Sequence, residues 1–172
     1  MSTSESGWME PVLLAFEVEN NVKNRRIFRT VSREICGESM EPSEGGIVLF
    51  GKIQHNSLKD GVVSVASGKN ANSEVFDQND RSFYHWLDFL FVNKDFQQNG
   101  YGSIMVQYLE QKLRARLKRP IRLKSAEKSK GFFQKLGYHP IGEPIRNVDP
   151  GCHLFRCLQL MEKFNNEFIR KV

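Results

Sequence analysis

The expected fold depends on one stretch, Phe89-Leu-Phe-Val-Asn-Lys-Asp-Phe-Gln-Gln-Asn-Gly-Tyr-Gly-Ser103. An aromatic, apolar run ends in a short polar segment with Gly100 and Gly102, and a helical pattern follows, so the stretch predicts a strand, a turn and a helix. Free N–H groups and the helix dipole at such a turn favour an anion, and glycine lets a phosphate approach the backbone. An ordinary tight turn between a strand and a helix would show the same two glycines.

Hydrophobic periodicity extends this unit in both directions. The pattern predicts strands over 12–18, 47–53, 61–66, 83–92, 121–125, 138–141 and 154–161, although the last of these is also compatible with a helix. It predicts one or two short helices within 20–40, a helix over 104–117 that ends near Arg119 because Pro120 follows, and a short helix over 127–136 capped by Gly137. Segment 55–60 is the expected hairpin turn, and 68–81 is a polar insertion.

Length and composition predict one domain over residues 11–172, preceded by a flexible tail at 1–10. The chain has 172 residues, 40% apolar and 26% charged, which is ordinary globular composition. It has no apolar run of about 18 residues and no signal-like start, so we expect no membrane partner and a cytoplasmic or nuclear location. Three cysteines suggest no disulfide framework. Cys152, His153 and Cys157 lack a second ligand cluster, so we predict no metal site.

Positive charge is concentrated in one segment. The chain has 25 Lys and Arg against 20 Asp and Glu, a net charge of +5, and the segment from Glu110 to Lys135 contains ten of the basic residues against two acidic ones. Such a segment either faces water or suits an anionic partner, such as a phosphorylated small molecule or a nucleic acid. Because it lacks the interleaved aromatic residues of single-strand and RNA platforms, we expect no direct binding of nucleic acid.

Two motifs resemble a known family. The sequence contains neither Gly-x-Gly-x-x-Gly nor a Walker loop. Gln97-Gln-Asn-Gly-Tyr-Gly102 instead resembles the Arg/Gln-x-x-Gly-x-Gly/Ala signature of the GNAT superfamily of N-acetyltransferases. Ser129-Lys-Gly-Phe-Phe-Gln-Lys-Leu-Gly-Tyr138 resembles its later Phe-Tyr-x-Lys-Leu-Gly-Phe segment, in the expected order and about thirty residues on. The region around Asp95 is also similar to the arylalkylamine N-acetyltransferases, over too short a stretch to transfer a substrate.

The resemblance implies a three-layer α/β fold. Its central mixed sheet would have six or seven strands, with helices on both faces. The strand ending at Val92 and the strand from Ile121 would splay apart in the middle of the sheet, and acetyl-CoA would lie in the gap as cosubstrate, without a metal.

The resemblance also implies which residues bind acetyl-CoA. Main-chain N–H groups of the turn would hold the pyrophosphate, namely those of Gln97, Gln98, Asn99, Gly100, Tyr101, Gly102 and Ser103. The backbone of Leu90, Phe91 and Val92 would pair with the pantetheine amides as a strand edge does. Ser129, Phe132 and Phe133 would line the thioester path. Local charge makes Lys128, Lys130 and Lys135 the candidate side chains for the phosphates or the adenine.

A primary amine must lose a proton before it attacks a thioester, because its pKa is near 10.4. The residues that alternate along one face of the central strand are Tyr84, Trp86, Asp88, Leu90 and Val92, and His85, Leu87, Phe89 and Phe91 form the other face. Family positions for the base correspond to Trp86 and Asp88. Trp86 cannot accept a proton, so Asp88 is the expected catalytic base, unless a neighbouring basic group ties up its carboxylate. Tyr84 and Trp86 are candidates for an apolar wall of the acceptor site, with packing in the core as the alternative, and His85 is expected to be a structural or surface histidine.

One position departs from the family pattern. Phe133 stands where many members have a tyrosine that protonates the departing thiolate, and Tyr138 is one possible substitute. The departure leaves two functions open: an N-acetyltransferase acting by direct attack in a ternary complex, and a catalytically weak or inactive CoA-binding regulatory module. The acceptor would be a small-molecule amine, a protein lysine or a protein N-terminus. Acidic residues at Glu17, Glu19, Glu38, Glu41 and Glu44 would suit a cationic acceptor, and the sequence leaves the oligomeric state open.

Overall fold

The computed structural model describes residues 12–53, 61–147 and 156–164. The predicted tail at 1–10, the hairpin turn at 55–60 and the Cys152-His153 pair therefore lie outside the described residues. The strands are β1 (Leu13–Val18), β2 (Ile47–Ile53), β3 (Val62–Lys69), β4 (His85–Val92), β5 (Ile121–Ala126), β6 (His139–Pro140), β7 (Ile145–Arg146) and β8 (Cys157–Lys163). The helices are α1 (Val22–Cys36), α2 (Tyr101–Arg116) and α3 (Lys130–Lys135), with 3₁₀ turns at Arg81–Phe83, Lys94–Phe96 and Glu127–Ser129.

Within the described residues the strands form one mixed sheet of eight, in the order β1-β2-β3-β4-β5-β8-β6, with β7 also on β8. Neighbours from β1 to β4 are antiparallel, β4 and β5 are parallel, and β8 is antiparallel to β5, β6 and β7. The predicted mixed sheet is confirmed, and β6 and β7 are strands of only two residues each. The last predicted strand is a strand and not a helix, with β8 beginning at Cys157.

Helices cover both faces of the sheet, as expected for a central strand that is apolar along its length. On one face α1 buries Phe28 and Val31 against Val48, Phe50 and Val65. On the other face α2 packs its apolar stripe on the sheet, burying Met105, Val106, Leu109 and Leu113 together with Leu49, Leu87 and Leu123. None of the helices in the described ranges has the length and apolar character that a bilayer crossing requires.

Local signals place the ends of the helices. The Asn21 side chain accepts a hydrogen bond from the Asn24 N–H at 2.9 Å and caps α1. At the other end of α1, Gly37 has φ +83°, and its N–H donates to the carbonyl of Arg33. Residues 20–40 therefore hold one helix of 15 residues. α2 ends at Arg116, upstream of Pro120 as expected.

A β-bulge interrupts β4 at Asp88. Ser67 of β3 pairs with Phe89, whereas the next residue, Gly68, pairs with Leu87. Asp88 is therefore an extra residue in the ladder. A bulge of this kind re-aims side chains and increases the local twist of the strand.

The bulge makes the predicted alternation along β4 wrong beyond Leu87. Leu90 and Val92 pack in the same cluster as Leu87, on the α2 face, whereas Phe89 and Phe91 pack in the cluster under α1. Strict alternation would have placed Leu87 with Phe89 and Phe91. One extra residue changes the face of every residue after it.

His85 fastens the start of β4 to two other segments. The buried ring accepts the Ala71 N–H on Nδ1 at 2.9 Å, and its Nε2 lies 2.6 Å from the Leu117 carbonyl. The first bond requires an unprotonated Nδ1, so Nε2 carries the proton and donates to Leu117. His85 is therefore structural, as predicted. It holds the 70–83 loop, which follows β3, against the end of α2.

We predict that His85 makes folding stability depend on pH. Burial lowers the pKa of His85, as do the charges of Arg119 and Arg114, and the Leu117 hydrogen bond acts in the opposite direction. As the pH falls, the unfolded chain therefore binds a proton at this histidine before the folded chain does. The contribution of His85 to the free energy of unfolding is present above about pH 6.5 and is lost as the pH falls further. His85→Phe should reduce that slope and cost about 1–3 kcal/mol at pH 7.5, because two part-buried backbone groups, the Ala71 N–H and the Leu117 carbonyl, lose their partner.

Urea unfolding at several pH values between 5 and 8 measures this effect. His139→Gln removes an exposed imidazole from β6 and is the matched control. If His85→Phe keeps the full acid slope of the wild type, the role given to His85 is wrong.

Candidate functional site

The central feature of the site is a gap between β4 and β5. In the described chain, only three pairs of residues join these strands: His85 with Ile121, Trp86 with Arg122, and Leu87 with Leu123. The strands part after the third pair, as expected. A cavity of about 990 Å³ opens there, and it is lined by both parting strands, the 96–103 segment and the start of α3.

The turn before α2 lies at the mouth of the gap, and no side chain caps the helix there. Gln98 and Gly100 have φ of +67° and +78°, and α2 has no hydrogen bond from a capping side chain. A 16-residue helix with an uncapped N-terminus attracts an anion. The turn residues that line the cavity are Gln97, Gln98, Gly100, Tyr101, Gly102 and Ser103. Asn99 is not among them, and its side-chain amide lies 3.5 Å from the Phe96 carbonyl.

Gly102 allows α2 to approach the α3 side of the cavity closely. A Cβ at this position would lie 3.1 Å from Cζ of Phe132 and 3.8 Å from Cδ2 of Leu90. Any larger residue would therefore displace the Phe132 ring, which lines the cavity. The glycine is required for this contact as well as for an open backbone.

The second motif contributes Ser129, Phe132 and Phe133 to the cavity wall. The Phe133 ring packs edge-on against Tyr138, with the ring centroids 5.8 Å apart. Tyr138 itself is fully buried and does not line the cavity; its hydroxyl donates to Oε1 of Glu110 at 3.2 Å. Burial and the Glu110 charge raise its pKa far above the usual range. Tyr138 is thus buried too deeply for its hydroxyl to replace that of the tyrosine which many family members have at the position of Phe133.

The lysines of the basic segment are not equivalent. Lys128 lines the cavity, whereas Lys135, which is exposed on α3, and Lys130 do not. Two other lysines line it, Lys94 in the turn after β4 and Lys124 on β5. Sequence reasoning missed these two, because a lysine on a strand or in a turn carries no local sign of which cavity it faces.

Asp88 lies at the bulge and lines the same cavity. The Ser43 hydroxyl donates a long hydrogen bond, 3.4 Å, to its Oδ2. Burial raises the pKa of the Asp88 carboxyl above its usual value, while the Arg81 charge, the Ser43 bond and the Lys69 charge act in the opposite direction. The carboxylate is half-buried, and its hydrogen bond from Ser43 is long, so it is available to accept a proton.

Of the two alternatives for Tyr84 and Trp86, the structure shows packing in the core. Tyr84 and Trp86 are buried and do not line the cavity. The Tyr84 hydroxyl donates to the Gln78 carbonyl at 2.7 Å, and Trp86 Nε1 donates to the Arg81 carbonyl at 2.9 Å. Near Asp88 the cavity is lined instead by Phe89 and by the last turn of α1, through Ile35 and Cys36. The helical spacing of apolar residues within 20–40 predicts that Ile35 points towards the core, but not that it faces this gap.

Two of the acidic residues on the expected acceptor side are paired. Glu41 forms an ion pair with Arg29, and Glu17 forms one with Lys112 at 3.3 Å. In the parts of the chain that the structure describes, no three potential metal ligands among His, Cys, Asp and Glu come together.

The family assignment follows from a direct comparison of sequences. The sequence model of the Acetyltransferase (GNAT) family matches residues 32–138, more than half of the chain. The chain belongs to this family. Both motifs and the parting strands lie inside the matched range. No individual curated protein sequence is significantly similar to this GNAT chain.

Solved structures share the GNAT fold at low sequence identity. A chain of the NatC complex bound to Gag peptide and CoA superposes with a TM-score of 0.66 at 10% identity, over 89% of this chain and 98% of that one. The ribosomal-protein-S18-alanine N-acetyltransferase from Escherichia coli superposes with a TM-score of 0.61 at 14% identity, over 88% of this chain and 93% of that one. A GCN5-related N-acetyltransferase from Rhodopseudomonas palustris superposes with a TM-score of 0.62 at 14% identity, over 91% of this chain and 97% of that one. These likenesses concern the fold.

The residues around the gap fit the acetyl-CoA that the family uses. Uncapped N–H groups and the side chains of Lys94, Lys124 and Lys128 suit phosphates. The β4 edge beyond Leu87 has no partner strand on the β5 side within the described residues, so it can accept an extended ligand.

We predict that a side chain at Gly102 weakens binding of coenzyme A. Gly102→Val should displace Phe132 into the cavity and raise the Kd about tenfold or more, or at least ~1.4 kcal/mol. Isothermal titration calorimetry with CoA measures the change. Gly131→Ala is the matched control, because a Cβ there meets no atom within 4 Å. Equal affinities in the Gly102→Val variant and the wild type would exclude this turn from the binding site.

Proposed function

We propose that the protein transfers acetyl from acetyl-CoA to a primary amine by direct attack in a ternary complex, with Asp88 as the base. A single observation carries the proposal. One cavity connects the glycine turn, the edge of β4 beyond its last pair with β5, and the Asp88 carboxylate. A thioester held along that edge would lie within the same enclosure as a proton acceptor.

The proposal assigns the cofactor site residue by residue. Main-chain N–H groups between Gln97 and Ser103 would hold the pyrophosphate, and the backbone of Leu90–Val92 would hold the pantetheine. Ser129, Phe132 and Phe133 would line its path, and all three contact the cavity. For the phosphates or the adenine we favour Lys128, Lys94 and Lys124 over Lys135, because these three line the cavity.

Asp88 is the proposed catalytic residue. Among the described residues that line the cavity, it is the only carboxylate. An ammonium group near this side chain would be stabilised by its charge and could pass its proton to it, directly or through a water. Because burial raises the pKa of Asp88, the group is a stronger base than an exposed aspartate.

Acetyl-CoA supplies the acetyl group already activated as a thioester. Phe133 has no proton to give, so no acid acts from that position. None is required there, because a thiol with a pKa near 8.5 is a tolerable leaving group. Positioning the amine against the thioester would then provide most of the acceleration.

Phe133 also favours a second function, a CoA-binding module that regulates without turnover. The two functions differ in one measurable property, the release of thiol from acetyl-CoA. The test should include protein amino groups because of two structural neighbours. One is the ribosomal-protein-S18-alanine N-acetyltransferase, and the other is a chain of the NatC complex bound to Gag peptide.

We expect thiol release from acetyl-CoA with at least one acceptor class in a panel of aralkylamines, polyamines, lysine peptides and peptides with free N-termini. The physical reason is the shared enclosure of the cofactor edge and the base. Ellman's reagent follows the thiol, and calorimetry with CoA runs in parallel. CoA binding without turnover on any amine would favour the regulatory module, and no binding at all would contradict both functions.

For Asp88→Asn we predict a fall in kcat of about 10²–10³, because the amide cannot accept the proton of the amine. The Kd for CoA should stay within about twofold. The wild-type kcat/KM should fall as the pH drops through the raised pKa of Asp88, and the variant should lack that acid limb.

Asp77→Asn is the matched control for Asp88→Asn. Asp77 is exposed in the 70–83 loop, and an amide oxygen can still accept its hydrogen bond from the Asn79 N–H. An Asp88→Asn variant with an unchanged pH profile would remove Asp88 from the mechanism.

A further inference from the structure

The cavity between β4 and β5 reaches both faces of the sheet. On the α2 face it is lined by Leu90 and Phe132, which pack in the same cluster as the buried side of α2. On the opposite face it is lined by Ile35 and Phe89, which pack in the cluster under α1. The glycine turn begins α2 and so belongs to the first of these faces. The part of the cavity under α1 is therefore left for a second ligand.

Asp88 lies on the α1 side of this cavity. Its Oδ2 accepts the 3.4 Å hydrogen bond from Ser43, which lies in the loop between α1 and β2. That loop is held against α1, because the buried hydroxyl of Ser32 accepts the Met40 N–H at 2.8 Å. Phe89, the residue after Asp88, packs under α1 as well. An amine that passes its proton to Asp88 would therefore have its carbon chain beside the last turn of α1.

The wall around that position is apolar and fixed. Phe89 stacks on Phe91 with the ring centroids 5.9 Å apart, and it meets Phe28 edge-on at 6.3 Å. The last turn of α1 adds the half-buried side chains of Ile35 and Cys36, and the left-handed cap that follows ends the helix at this turn. A preformed pocket of apolar side chains favours an apolar group, because that group leaves water when it binds.

The charges in the lining suit an acceptor with one positive charge. Among the described residues that line the cavity, Asp88 is the only carboxylate, and three lysines accompany it. The five glutamates that would suit a cationic acceptor by sequence, at positions 17, 19, 38, 41 and 44, do not line the cavity. A second ammonium group would therefore lie against apolar side chains or near a lysine, without a counter-charge, which is unfavourable.

We propose that the acceptor is a small primary amine with one positive charge and an apolar carbon chain, and that Ile35, Cys36 and Phe89 determine this specificity. The inference rests on the proposed function, because it places the reacting nitrogen at Asp88. The ammonium end meets the carboxylate, and the chain lies in the apolar lining under α1. Polyamines fit this arrangement poorly, since their second charge enters the lining as well.

The test compares hexylamine with 1,6-diaminohexane, which has the same chain and a second ammonium group. At saturating acetyl-CoA we expect kcat/KM for hexylamine to be higher by about tenfold or more, because the diamine places a charge in the apolar lining. Calorimetry of each amine with the protein saturated in CoA gives their relative affinities without turnover, and hexylamine should bind more tightly by a similar factor.

Two substitutions of Ile35 test the lining. Ile35→Ala should raise the KM for hexylamine about tenfold with a small change in kcat, because it removes contacts with the chain and leaves the base in place. Ile35→Asp should shift the ratio of the two kcat/KM values towards the diamine by about tenfold or more, because it supplies a second counter-charge. Ile27→Ala and Ile27→Asp are the matched controls and should leave the preference unchanged, since Ile27 packs in the same cluster from the same helix but does not line the cavity.

Thermal melting shows whether each variant is folded, and Ile35→Ala carries the test if Ile35→Asp does not fold. Three results overturn the assigned acceptor while the transferase stands: equal or better use of the diamine by the wild type, acetylation of peptides alone, or an unchanged preference in the folded Ile35 variants. If no amine is acetylated, the proposed function fails, and the calorimetric comparison tests the pocket separately. Tighter binding of hexylamine to the CoA complex would then support the pocket, and equal affinities would reject it.

Discussion

The three-residue ladder between β4 and β5 is the constraint on which the site depends. β5 pairs with β8 over its full length, and β4 stays on β3 to Val92, so each strand is held on its outer side while the inner sides separate. Unpaired backbone groups inside a sheet are costly unless something satisfies them. The gap is therefore both a structural irregularity and a place for an extended ligand that has its own amide groups.

The bulge at Asp88 accompanies the separation of the strands. Pairing with β5 ends at Leu87, and the extra residue in β4 comes immediately afterwards. A bulge bends and twists its strand, which turns β4 away from β5 and aims one side chain into the space that opens. The same local feature thus provides the cavity and places the carboxylate in it.

Charge in the cavity is arranged in a way that suits a phosphorylated ligand and an amine. Three lysines line it: Lys94 in the turn after β4, Lys124 on β5 and Lys128 in the turn before α3. Asp88 is the one carboxylate among the described lining residues. Opposite charges at different positions in one enclosure favour two ligands of opposite sign, which is what an acyl transfer to an amine requires.

The sequence alone indicated the strands, the helices and the glycine turn, because these follow from periodicity, helix caps and a motif within one short stretch. The resemblance to the family implied the mixed sheet with helices on both faces. The sequence also singled out Asp88 and the structural role of His85. It was wrong on the faces of Leu90 and Val92, since a bulge leaves no local sign in the residue types. Only the tertiary structure decided that Tyr84 and Trp86 pack away from the cavity, that Tyr138 is bonded to Glu110, and that Ile35, Lys94 and Lys124 face the gap. Those facts depend on contacts between residues far apart in the chain, which no local pattern contains.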